Sequence, residues 1–163
     1  MGPMTHTWDD LSKKYPRLIP AKFGFECELG WLRILDEYFE VVDHEMPESA
    51  TYELRQVKEK LGKLKIHDAS YGETLSSVTA ITDAHRLAEA RSLHTCEYCG
   101  QRGRFRKRER YMTVTCDDHS IQHGIMAIPE EPEPRDYRQT RDGWIVYDPD
   151  RDAFIPTEAP DWA

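Results

Sequence analysis

The chain is short of aliphatic residues: Leu, Ile, Val and Phe together make 31 of its 163 positions. With 30 Asp+Glu against 22 Lys+Arg and a formal charge of -8, that scarcity sits at the border where a chain buries too little apolar surface to fold. Long hydrophobic runs are missing as well. Stretches such as residues 124–128 are far too short to cross a bilayer, so no membrane partner is expected. The first residues lack the apolar core segment of a secretory leader, which leads to the expectation of a cytoplasmic protein. Residues 1–7 are expected to be a disordered start that takes no part in the fold. No internal repeat is visible. Four Trp and eight Tyr supply large rings for burial, which supports a folded but thinly cored domain. A core this thin calls for a staple of another kind.

Cysteine is also scarce, with four residues at positions 27, 96, 99 and 116. Three of them belong to one pattern: Cys96-x2-Cys99, 16 intervening residues, then Cys116-x2-His119. Two residues between ligands let one tight turn aim both side chains at a common point, and Gly100 supplies permissive backbone just after the second ligand. Two such knuckles joined by a hairpin make a closed Cys3His zinc site, in which zinc is structural. The alternatives are a disulfide pair or clustered free thiols. His119 completes the spacing, while His123 and His94 lie near enough to replace it. Thiolate ligation fits a reducing cytoplasm. Cys27 stands apart, and its simplest role is that of a small buried hydrophobe.

Periodicity supplies the remaining elements. Trp8, Leu11 and Tyr15 predict a short helix ending at Pro16, and Trp31 to Val42 predict a central helix over about residues 28–45. Leu54, Val57 and Leu61 predict a second helix over 51–61 stopped by Gly62, followed by a strand over 63–67 and a turn over 68–73. A long helix over about 73–93, with Leu75, Val78, Ile81, Ala84, Leu87 and Ala88 inward, leads into the first knuckle. Tyr111 to Thr115 reads as a strand. Residues 129–135 form an acidic, Pro-rich spacer, and residues 143–147 with 153–155 form a β-hairpin that must dock on something to be stable. The expectation is an α+β fold: a helical scaffold over 8–93, a zinc ribbon over 94–128 packed on it, and the spacer and hairpin over 129–163.

Three motifs stand in order: Phe25-x-Cys27-x-x-Gly30-Trp31, Gln56-x-Lys58-Glu59-Lys60-x-Gly62-x-Leu64, and Thr95-Cys96-Glu97-x-Cys99-Gly100 with Cys116-x-x-His119. Together they resemble a family of small, uncharacterised zinc-ribbon proteins from bacteriophages and bacterial genomes, over roughly residues 8–123. The family usually has Phe and a second Gly where this chain has Leu61 and Lys63. The resemblance implies a mobile-element origin and a zinc site, and it supplies no activity.

The segment between the knuckles carries Arg102, Arg104, Arg106, Lys107, Arg108 and Arg110 against Glu109, a local charge of +5 on a body that is otherwise -13. With Phe105 and Tyr111 interleaved, these cations are candidates for binding nucleic acid or an acidic protein surface. The simpler alternative is a solvated tip or one folded back on the protein's own carboxylates. Trp144, Tyr147 and Phe154 of the hairpin are candidates for docking a partner. Asp118, His119 and His123 faintly resemble a metal-dependent His nuclease, but His119 is already assigned to the metal. The expectation is therefore a non-catalytic phage-type accessory protein that binds and modulates or inhibits a host nucleic-acid-handling or defence complex. Direct nucleic-acid binding by residues 102–110 is the second reading, and a metal-dependent nuclease the third.

Overall fold

A computed structural model describes residues 4–163. Three helices and several small antiparallel sheets make a mixed α+β fold. Helix α1 (Trp8–Lys14) begins at Thr7, whose hydroxyl accepts from the Asp10 amide while the Asp10 carboxylate answers the Thr7 amide. This reciprocal capping box fixes where the helix begins, at the last residue of the expected disordered start; residues 1–3 lie outside the described residues. Helix α2 (Leu32–Glu45) follows a 3-10 turn, Leu29–Trp31, and buries Leu35, Tyr38, Phe39 and Val42. It is the central helix that its apolar face predicts.

The predicted helix over 51–61 is instead a strand, β1 (Thr51–Lys60), paired antiparallel with β2 (Lys63–Tyr71). Leu54 and Val57 are three apart, which on a regular strand sends them to opposite faces. The register slips between Leu54 and Gln56, and this bulge at Arg55 returns both side chains to the core, where they are buried. The predicted scaffold of helices is therefore helices plus a two-stranded sheet, and the predicted turn over 68–73 is strand as far as Tyr71.

Helix α3 (Leu75–Ser92) is capped by Thr74 and packs on α2 and β2. Its inner face is small, with Ser77, Ile81, Ala84 and Ala88 buried, while Leu75 and Val78, predicted inward, are exposed. Side chains this small let α3 lie close to β2, where the Ser92 hydroxyl accepts from the Leu64 amide at 3.0 Å. The core gathers between α1, α2, α3 and the inner face of the β1–β2 sheet.

The ribbon holds β3 (Arg104–Arg108), β4 (Tyr111–Thr115), the short hairpin β5 (Ile121–Gln122) with β6 (Ile125–Met126), and β7 (Ile128–Pro129), in sheet order β4-β3-β7. At the C-terminus the predicted hairpin, β9 (Gly143–Asp148) with β10 (Ala153–Thr157), gains a third strand, β8 (Tyr137–Thr140). No helix is long and apolar enough to cross a membrane among the described residues.

Candidate metal centre

The first knuckle is built by backbone. The Gly100 amide donates to Cys96 O at 2.9 Å, and the Cys96 amide donates to Gln101 O at 2.8 Å. Gly100 has φ +78°, a conformation that glycine adopts without cost. The second knuckle is a 3-10 turn, Asp117–His119, entered directly from β4 through Cys116. Cross-strand pairing of Arg104 with Thr115 brings the two knuckles to the same end of the ribbon.

There the ligand atoms of Cys96, Cys99, Cys116 and His119 all lie within 4.8 Å of one another. The Cys99 and Cys116 sulfurs are 3.7 Å apart, and His119 Nδ1 stands 3.7 Å from Cys96 Sγ and 3.2 Å from Cys116 Sγ. A tetrahedron with metal–sulfur bonds of about 2.3 Å has edges of roughly 3.7 Å, so these four groups fit a metal ion. Of the three histidines weighed for the fourth position, His119 is the one turned to the sulfurs. His123 sits exposed at the β5–β6 turn with φ 51°, and the ring of His94 stacks on Tyr147. Asp118 is exposed.

Two motifs that the sequence singled out are the joints between scaffold and ribbon. The Gly30 amide donates to Glu97 O at 2.6 Å, and a Cβ at Gly30 would stand 2.2 Å from Cys96 O. Trp31, fully buried, donates from Nε1 to Thr95 O at 3.0 Å. Cys27, half-buried beside them, packs against the core, and burial pushes its thiol up to about 12. In the middle motif, the Gly62 amide donates to Glu59 Oε1 at 2.6 Å, and a Cβ at Gly62 would meet the Phe105 ring at 2.7 Å. Gly30→Ala is expected to push the knuckle off the scaffold, because its neighbours are backbone atoms. The expected cost is about 2–3 kcal/mol, read as a lower denaturant midpoint with weakened metal retention.

The basic segment is not an outward tip. It is strand β3, and alternation divides its side chains. Arg104, Arg106 and Arg108 share one face and are engaged inside the molecule. Arg106, 7% exposed, donates to Thr115 O and, at 2.7 Å, to Asp117 Oδ1, which pins the second knuckle. Arg108 donates to Ser120 O, Ile125 O and Gln122 Oε1, which pins the β5–β6 hairpin. Arg104 bonds Glu130 O and Glu131, and Arg102 meets Asp150 at 2.6 Å. Lys107 and Arg110 are exposed, and Phe105 lies under the β1–β2 turn. These arginines fold back on the protein's own carboxylates and carbonyls; the acceptors, at 115–131 and 150, lie outside the basic segment, where local charge counting does not see them.

The C-terminal sheet docks on its own scaffold. Tyr147, expected to face a partner, is 3% exposed; its ring stacks on His94 at 5.7 Å and its hydroxyl donates to Asp152 Oδ1 at 2.6 Å. Asp152 in turn takes a two-pronged bond from Arg91 of α3. Phe154 packs edge-on against Tyr147, and Trp144 is half-buried behind Trp162.

Sequence reasoning missed a cluster in the scaffold. Asp68 accepts from the hydroxyls of Tyr38 and Tyr52, each at 2.5 Å, and lies 2.9 Å from His85 Nε2. The signal was available in the alternation of Leu64, Ile66 and Asp68, which puts a carboxylate on the apolar face of β2. No protein-family model, curated protein or solved structure matches this chain.

Proposed function

We propose that this chain is a non-catalytic, zinc-stabilised recognition protein of phage type, which docks on a host nucleic-acid-handling or defence complex and modulates or inhibits it. Three thiolates and one imidazole suit zinc, and four protein ligands use every position of a tetrahedron, as structural sites do. Thiolate ligands also support a reducing cytoplasm as the working compartment.

The observation that carries the docking reading is the small hairpin beside the metal site. Ala127 is buried, so its neighbours Met126 and Ile128 turn outward, at 53% and 57% exposed. Ile121, paired directly with Met126, is 56% exposed, and Ile125 adds to the same end. Arg108 holds this hairpin through two hydrogen bonds to backbone, at Ser120 O and Ile125 O, and one to the Gln122 side chain. Apolar side chains grouped on a pinned hairpin are the pattern of an interaction surface. Four of the arginines in residues 102–108 are engaged within the molecule, which favours docking through the hairpin over phosphate binding by that strand.

A photo-crosslinking side chain placed at Met126 or Ile128 in bacterial host cells tests this. The expected result is one discrete adduct with the same host polypeptide from both positions, lost when Ile121→Lys is added. No adduct from either position, with zinc content intact, overturns it.

A further inference from the structure

On the opposite side of β3 from its engaged arginines lies a groove of about 480 Å³, between the β1–β2 turn, β3 and the C-terminal sheet. Leu61, Lys63, Phe105, Arg135, Tyr137 and Trp162 line it. Its aromatic side is built as a platform. Trp162 stands nearly perpendicular to Tyr137 and Trp144, at 86° and 88°, so both rings support it while it remains 71% exposed. The Arg135 guanidinium lies 5.9 Å over the Tyr137 ring.

The charges of the groove are sorted. Its carboxylates are committed: Glu89 pairs with Lys65 and Arg138, and buried Asp136 pairs with Arg138. Lys63 and Arg135 stand outside these ion pairs. Leu61 adds a different kind of observation. It and Gly62 form a two-residue turn with φ of 52° and 83°, a geometry that favours Asn or Gly at both positions. Leucine there is both conformationally unfavourable and 70% exposed to water at the mouth of the groove. A local cost of this kind, borne at a concave surface, is one motive for reading the groove as a contact site.

We propose that this groove binds single-stranded nucleic acid, with unpaired bases stacking on Trp162 and packing against Leu61, and phosphates meeting Lys63 and Arg135. Stacking platforms flanked by cations bind single strands with little sequence preference, because every base has a π-face. The net charge of -8 works against the continuous phosphate contacts of a duplex, whereas a short single strand needs only this local patch. The site uses none of the hairpin residues assigned to partner docking, so it stands apart from that reading.

The test is a fluorescence-anisotropy titration of the full chain with labelled single-stranded DNA and RNA oligomers of about ten nucleotides. At low salt, binding of at least one oligomer is expected, weakening as salt is added. Trp162→Ala should lower affinity about tenfold or more, and Arg135→Glu should lower it comparably; both side chains are exposed, so the variants should keep the fold and the metal. Met126→Lys should leave oligomer binding unchanged, which separates failure of this site from failure of the docking reading. Three results overturn the proposal: no binding of either oligomer at low salt, unchanged binding in both groove variants, or preferential binding of a duplex or a polyglutamate peptide.

Discussion

Stripping metal from the Cys3His cluster, which our reading fills with zinc, is expected to unfold the ribbon. Between residues 95 and 130 the buried apolar side chains are Cys96, Val114 and Ala127, and the other buried groups, Glu97, Arg106, Thr113, Thr115 and Ser120, are polar or charged. Burying one valine-sized side chain stabilises by only about 1.5–3 kcal/mol, and the cysteine and alanine contribute less. Three small apolar groups therefore cannot hold some thirty-five residues in place. A tetrahedral zinc centre contributes on the order of 10–16 kcal/mol in small peptides, more than these three side chains supply together. Treatment with a strong chelator should abolish amide protection across β3 and β4 in hydrogen exchange, with less effect on α2 and on β1–β2, whose core lies elsewhere. Cys99→Ser or Cys116→Ser should lower the thermal midpoint by more than about 10 °C and remove stoichiometric zinc in elemental analysis. An untreated protein with no bound metal, or Cys→Ser variants with an unchanged midpoint, would refute the assignment.

The Cys3His cluster was legible in the sequence because its information is local. Cys96 and Cys99 share one turn, Cys116 and His119 share another, and the strand formers from Tyr111 to Thr115 lead directly into the second turn. Helix α2 was legible for a similar reason, since six apolar positions on one face leave a helix little alternative. The elements that misled have features that depend on partners far away in the chain. The bulge at Arg55 gives β1 the spacing of a helix, and nothing short of pairing with β2 reveals it. Helix α3 turns its small residues inward, because Ser77, Ala84 and Ala88 permit close approach to its neighbours, so its larger residues Leu75 and Val78 mark the wrong face. Strand β8 escaped notice because Tyr137–Thr140 is a short, half-polar edge strand behind a proline-rich spacer.

The motifs carried by Gly30 and Gly62 show a second limit. Their order was visible, but the reason for each glycine is a contact with a segment dozens of residues away: the Cys96–Glu97 backbone for Gly30 and Phe105 for Gly62. The arginines of β3 also find their acceptors outside their own strand, 9 to 27 residues along the chain. Read as a string, residues 102–110 are a basic loop suited to phosphate. Folded, Arg104, Arg106 and Arg108 fasten segments that carry no core of their own, and of the cations in this segment Lys107 and Arg110 are left exposed and outside any ion pair among the described residues.

The cluster around Asp68 yields the second large expected effect. The Asp68 side chain is 10% exposed and is the shared partner of three groups from three elements: Tyr38 of α2, Tyr52 of β1 and His85 of α3. Burial by itself would raise this carboxyl, but the hydrogen bond and charge of His85 and the two tyrosine hydroxyls outweigh it and hold the group below its ordinary value of 3.8. Asp68→Ala should leave these buried partners without an acceptor, at a cost of about 3–5 kcal/mol, and Asp68→Asn, which keeps one acceptor oxygen, about 1–3 kcal/mol. The sign of the pH dependence follows from the depressed folded-state value. The unfolded chain holds this proton more tightly, so the contribution is complete above the ordinary value of 3.8 and is lost as pH falls through the lower folded value. Denaturant unfolding of the native protein and of Asp68→Asn should therefore show a gap that is widest near neutral pH and closes below about pH 4. A gap independent of pH, or none at neutral pH, would show that the two tyrosines and the histidine hold the scaffold together without needing the charge on Asp68.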